Sequence, residues 1–125
     1  MRLVLLITGL MMASAASAQS MPLAEFVKRG TALEKKGMLA LLHKGEINVL
    51  MAQMKGSGEA LKAEQLAAEK SGKPGVYCRP AGQKRVGFSA QQLLAELRAI
   101  PPAQSRSMTI SDGFRHIMVK RYPCR

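Results

Sequence analysis

After residue 20 the apolar positions recur at helical spacing, and no stretch alternates apolar and polar residues as a half-buried strand would. Alanine, leucine, lysine, glutamate and glutamine, all good helix formers, dominate between the turns. The pattern predicts a first helix over 22–36. Pro22 suits its first turn, and Leu23, Phe26, Val27 and Leu33 form a rough apolar stripe. Gly30 weakens its middle and Gly37 is a natural stop. A short apolar helix over 38–43 follows. The longest predicted helix spans 46–71, with Ile47, Leu50, Met51, Met54, Leu61 and Ala68 on its buried face. Gly56-Ser57-Gly58 interrupts it, either kinking the helix or letting another element come close.

The second half carries explicit start and stop signals. Ser89 and Gln92 make an S-x-x-Q capping box, and Phe88 with Leu93 makes a hydrophobic staple. Leu93, Leu94, Leu97 and Ile100 form the inward stripe of that helix, and Pro101-Pro102 ends it. A polar link leads to the last helix, capped by Thr109 with Asp112 three residues on. Ile110, Phe114, Ile117 and Met118 face inward, and Pro123 prevents continuation. The expected fold is therefore all-α: a small single-domain bundle of four to five helices. Its last two helices are expected to form a hairpin within 76–124.

Residues 1–18 change the compartment. One arginine, an uncharged apolar run from Leu3 to Met12 and the small residues 13–18 have the form of a secretory signal peptide. Cleavage after Ala18 would leave a domain over 19–125 that begins at Gln19. The apolar run is too short to span a bilayer comfortably, since about 20 residues are needed, and no later stretch is apolar enough. The expected location is the bacterial periplasm or the exterior, with no stable membrane insertion after cleavage.

Charge is uneven along the chain. Residues 19–72 hold eight bases and six acids, whereas 73–125 hold ten bases and two acids. A basic half points to an acidic partner or an anionic surface. Arg79, Lys84, Arg85, Arg115, Lys120 and Arg121 are the candidate interaction residues. Nucleic acid is excluded as a partner, because no basic tract is interleaved with aromatic residues for stacking.

Two cysteines, Cys78 and Cys124, both lie in the exported part of the chain. In an oxidising compartment they are expected to form one disulfide joining the start of the hairpin to its end. Catalytic thiol chemistry lacks its paired C-x-x-C spacing. His43 is a lone histidine, and Asp112 and His116 form a single i, i+4 pair. The glutamates are expected to pair with lysines on their own helices, as with Lys55, Glu59 and Lys62. No nucleophile elbow or phosphate-cradling loop is present. No enzyme activity, cofactor or metal is expected.

The ordered set Cys78, Pro80, Pro101, Pro102 and Tyr122-Pro123-Cys124, with the capped helix between, resembles the Rap/Tai family of type VI secretion amidase immunity proteins. The resemblance covers residues 76–124. It implies a helical periplasmic fold with the same disulfide. It also implies binding to a peptidoglycan-cleaving amidase, often by a homodimer. The first half departs from the family pattern: "LMAQMKGSG" stands where a Tyr-x-x-Gly-type segment with further cysteines is expected. Only the disulfide pair is therefore carried over. The expected function is a non-enzymatic, immunity-type interaction protein. The alternative is a periplasmic stress or chaperone-like helical protein, against which stands the small number of acids available to switch it by protonation.

Overall fold

The first helix, α1, spans Leu23–Lys36, with Pro22 just outside it as the cap residue. A six-residue 3-10 helix, Gly37–Leu42, turns the chain into α2, Lys44–Lys70. Then come α3 (Ala90–Ala99), the four-residue α4 (Pro102–Ser105) and α5 (Ile110–Arg121). This computed structural model describes residues 20–80, 82 and 89–124. The predicted leader, Lys84, Arg85 and the Phe88 half of the staple lie outside the described residues. Among the described residues the domain is all-α with one disulfide.

Both capping boxes form as the sequence predicts. The Ser89 hydroxyl accepts the Gln92 amide at 3.2 Å, and the Gln92 side chain accepts the Ser89 amide at 2.8 Å. Thr109 and Asp112 exchange the same pair of bonds at 3.2 and 3.0 Å. The polar link is not wholly irregular, because Pro102 is also the first residue of α4. Its missing N–H suits that position, so the second proline starts a helix as well as ending one.

The beginnings of α1 and α5 are joined directly. The Leu23 amide donates to the Met108 carbonyl at 3.0 Å, and the Ile110 amide donates to the Met21 carbonyl at 2.8 Å. Each is a first-turn amide with no partner inside its own helix. This pairing seats Leu23 and Ile110, both essentially inaccessible, at the centre of the core. Phe26, Leu50, Leu93, Leu94, Leu97, Ile100 and Ile117 complete that core. Leu61, Met118 and Tyr122 form a smaller cluster beside it, and Phe114 packs against both.

Two glycines allow the helices to meet there. A Cβ on Gly113 would lie 2.9 Å from Leu97 Cδ2 and 3.0 Å from Leu23 Cδ1. One on Gly30 would lie 2.9 Å from Leu94 Cδ1. Gly56 and Gly58, the residues singled out from the sequence, have no neighbour within 4 Å of that position. They allow no close approach, and α2 runs unbroken through them.

The buried face of α2 also differs from the expected one. Leu50, Met54, Ser57, Leu61, Gln65 and Ala68 follow one helical stripe and are buried or half-buried. Met51 is 54 % exposed. It lies about 100° round the helix from Leu50, and the two polar members of the real stripe hid this displacement. The helical hairpin is likewise only part of the arrangement. α3 and α5 do touch, but α5 packs most extensively along α2.

Ion pairs join the helices. Arg29 bonds Glu25 at 2.9 Å within α1 and lies 3.7 Å from Glu46 on α2. Arg98 on α3 reaches Glu34 on α1 at 3.4 Å. Glu34 and Glu46 thus reach arginines on other helices, and none of the expected Lys55, Glu59 and Lys62 pairings is among the ion pairs of the described residues. Lys55, Glu59 and Lys62 are all exposed, and a solvated lysine–glutamate pair gains little over water, so these side chains stay apart.

Candidate functional site

The disulfide is the most constrained part of the predicted site. Cys78 and Cys124 are bonded, with Cα atoms 4.9 Å apart across 46 residues of sequence. A side chain of α2 prepares this closure. Gln65 Oε1 accepts the Val76 amide at 2.8 Å, and Gln65 Nε2 donates to the Tyr77 carbonyl at 2.9 Å. The next amide, that of Cys78, donates to the Tyr122 carbonyl at 2.8 Å. The segment after α2 is thus pinned first to α2 and then to the end of α5, with the disulfide closing the join. Gln65 was missed because an uncharged polar residue on a helix carries no sequence signal until its partners are known.

The candidate basic residues fall into three groups. Arg115 donates to Glu64 on α2 at 2.9 Å. Arg121 donates through Nε, at 2.8 Å, and through Nη2 to the same oxygen of Glu96 on α3. The hydrogen bond to Glu96 raises the Arg121 pKa further above an already high value. Both arginines therefore brace α5 against its neighbours. Arg79 is exposed beside Cys78, and Lys120 is exposed on the outer side of α5. Lys84 and Arg85 lie outside the described residues.

Around Lys120 the surface is concave. Met108, Asp112, Arg115, His116, Val119 and Lys120, with Ser107, line a shallow hollow of about 570 Å³. His116 and Lys120 also border a smaller one of about 140 Å³, which reaches Glu96 and Pro101. One Asp112 oxygen accepts the Thr109 amide. That carboxylate therefore serves as a cap for α5, and no bond to His116 accompanies it. His43 is exposed, with Nε2 3.5 Å from the Lys36 amine. Among the described residues no three His, Cys, Asp or Glu side chains gather as a metal site requires. No helix among them is long and apolar enough to cross a membrane.

A second concavity shares no lining residue with the first. Phe26, Leu33, Leu50, Met54 and Leu94 wall an apolar groove of about 480 Å³ between α1, α2 and α3. Gly37 and Ala40 of the 3-10 helix border it. The large side chains of that short helix point outward: Met38 is 85 % exposed, Leu39 63 %, Leu41 64 % and Leu42 80 %. The available sequence signal was the three-residue spacing of the two small residues within "GMLALL". In a 3-10 helix, residues three apart are stacked.

Comparison of the chain with protein-family models, with curated proteins and with solved structures returned no match.

Proposed function

We propose that the protein acts by binding in the bacterial periplasm, and that its partner is a secreted peptidoglycan amidase which it inhibits as an immunity protein. The observation that carries the binding reading is the outer face of α5. There, exposed Lys120 and Val119 and half-buried His116 surround a hollow wide enough to receive a side chain of a partner. Arg115 and Arg121, each tied to a glutamate of another helix, help to orient that face. A preorganised surface loses little freedom on binding, which favours a tight complex. The amidase rests on the resemblance of residues 76–124, with which the Cys78–Cys124 disulfide agrees. A homodimer belongs to the same reading.

The test is direct. The exported chain is mixed with an amidase encoded beside it, and peptidoglycan hydrolysis is measured. Stoichiometric inhibition is expected, weakened by Lys120→Glu. Undiminished hydrolysis with every neighbouring amidase would end this reading.

A further inference from the structure

The short helix Gly37–Leu42 is apolar on the wrong side for a core element. With three residues per turn, its positions form three columns: Gly37 with Ala40, Met38 with Leu41, and Leu39 with Leu42. The column of small residues faces the body of the protein and borders the groove. The two columns of large residues face outward, and each of their four side chains is at least 63 % exposed. Folding alone would favour the opposite arrangement, because the large side chains would fill the groove and leave water. A projecting apolar ridge of this kind marks an interaction site.

The flanking charges indicate what meets it. Lys35 and Lys36 immediately precede the ridge, and Lys44 follows one residue after it. None of the three has a carboxylate partner among the described residues. The nearby carboxylates Glu25, Glu34 and Glu46 are each engaged by an arginine. The tip thus presents positive charge that no carboxylate offsets around an apolar knob, Lys36 meeting only the imidazole of His43. A second copy of the chain would bring the same three lysines against these and be repelled. From this charge complementarity and the projecting shape we infer that the 37–42 ridge docks the protein onto an anionic phospholipid bilayer. The four large side chains enter the acyl boundary while the lysines remain at the phosphates. This is peripheral attachment. It is independent of partner binding at α5, on a different face.

The chain from Gln19, which contains every described element, is the form to test, because the apolar run of residues 3–12 could bind lipid by itself. It is floated with vesicles of phosphatidylcholine containing phosphatidylglycerol, and with vesicles of phosphatidylcholine alone. Binding to the anionic vesicles only is expected. Leu39→Ser with Leu42→Ser should lower the partition coefficient about tenfold or more, and its unchanged circular dichroism would show that the fold survives. Lys35→Gln with Lys36→Gln and Lys44→Gln should lower it about a hundredfold. The chain has no tryptophan, so Leu41→Trp supplies a single depth probe. Its emission should shift to the blue on the anionic vesicles and be quenched by brominated acyl chains.

Three results would overturn the inference. One is no preference for anionic vesicles. Another is a double serine variant that binds as the wild type does, since attraction by general basicity would then account for everything. The third is self-association, or capture of a protein, that depends on the ridge while vesicle binding does not. Loss of amidase inhibition by Lys120→Glu bears on the α5 reading alone, so the two proposals fail separately.

Discussion

The hydroxyl of Ser57, midway along α2, lies 3.1 Å from the hydroxyl of Ser111 in the first turn of α5. Ser20, ahead of α1, donates to the same Ser111 oxygen at 3.0 Å. Among the described residues Ser57 is the buried polar one, only 3 % exposed. Three elements far apart in sequence therefore meet at one small polar contact between α2 and α5. Serine satisfies both demands there, being small enough for the helices to approach and able to bond across the gap.

That contact predicts an ordered response to substitution. Ser57→Ala should cost about 1 kcal/mol, the net value of one hydrogen bond, because Ser20 still serves Ser111. Ser57→Leu should cost more, about 2–3 kcal/mol, because it also forces α2 from α5. Urea denaturation midpoints with an unchanged slope would measure both. Equal midpoints for the two variants would remove the close approach from the account.

The glycines divide into two classes with opposite signs. Gly56→Ala and Gly58→Ala should each stabilise by about 0.5–1 kcal/mol, since both positions are helical and open. Gly30→Ala and Gly113→Ala should each destabilise by about 1–3 kcal/mol, because the added carbon meets Leu94 in one case and Leu97 with Leu23 in the other. Thermal melts of the four single variants suffice to check this.

The disulfide closes a loop of 46 residues in sequence separation. On the chain-entropy model that is worth about 4 kcal/mol. Cys78→Ser with Cys124→Ser should lower Tm by about 15 °C or more. A melting temperature within a few degrees of the parent would show that Gln65 and the Tyr122 carbonyl hold the segment by themselves.

Gln65 should govern access to that disulfide. Gln65→Ala removes the bonds to Val76 and Tyr77, at about 1–3 kcal/mol for the groups left unpaired. Faster hydrogen exchange at the Val76 and Cys78 amides is expected, together with faster reduction by dithiothreitol. Exchange that quickens only along α5 would place the anchor elsewhere.

Thr109 caps α5 and also sits at the junction with α1. Thr109→Ala should cost about 1 kcal/mol, a typical value for losing a cap. Thr109→Ser should restore most of it, because the hydroxyl that accepts the Asp112 amide returns. Guanidinium unfolding of the pair would show the difference.

Most of the helices were legible in the sequence, because their signals are local. Ser89 with Gln92 and Thr109 with Asp112 act within one turn, so residue type and spacing suffice to place a helix start. The cysteine pairing was legible too, since two cysteines allow one bond. The candidate site was less so. Arg115 and Arg121 read as free basic charge, yet both bond glutamates on other helices. Nothing in a linear charge count reveals a partner 25 or 51 residues away.

By itself, then, the sequence determined where α1, α3 and α5 begin and end, that the fold is all-α, and which two residues close it. Those features depend on contacts within about one turn, or on a pairing with no alternative. The stripes of α1, α3 and α5 were legible as well, but the tertiary structure decided which face of α2 is inward. Ser57 and Gln65 belong to the buried stripe of α2 while Met51 does not, because their partners come from α5 and from the segment at 76–77. It likewise turned Gly37 and Ala40 toward the groove and left Met38, Leu39, Leu41 and Leu42 outside. Hydrophobicity states what a residue would gain by burial. Only the packing of distant elements determines whether a place exists for it.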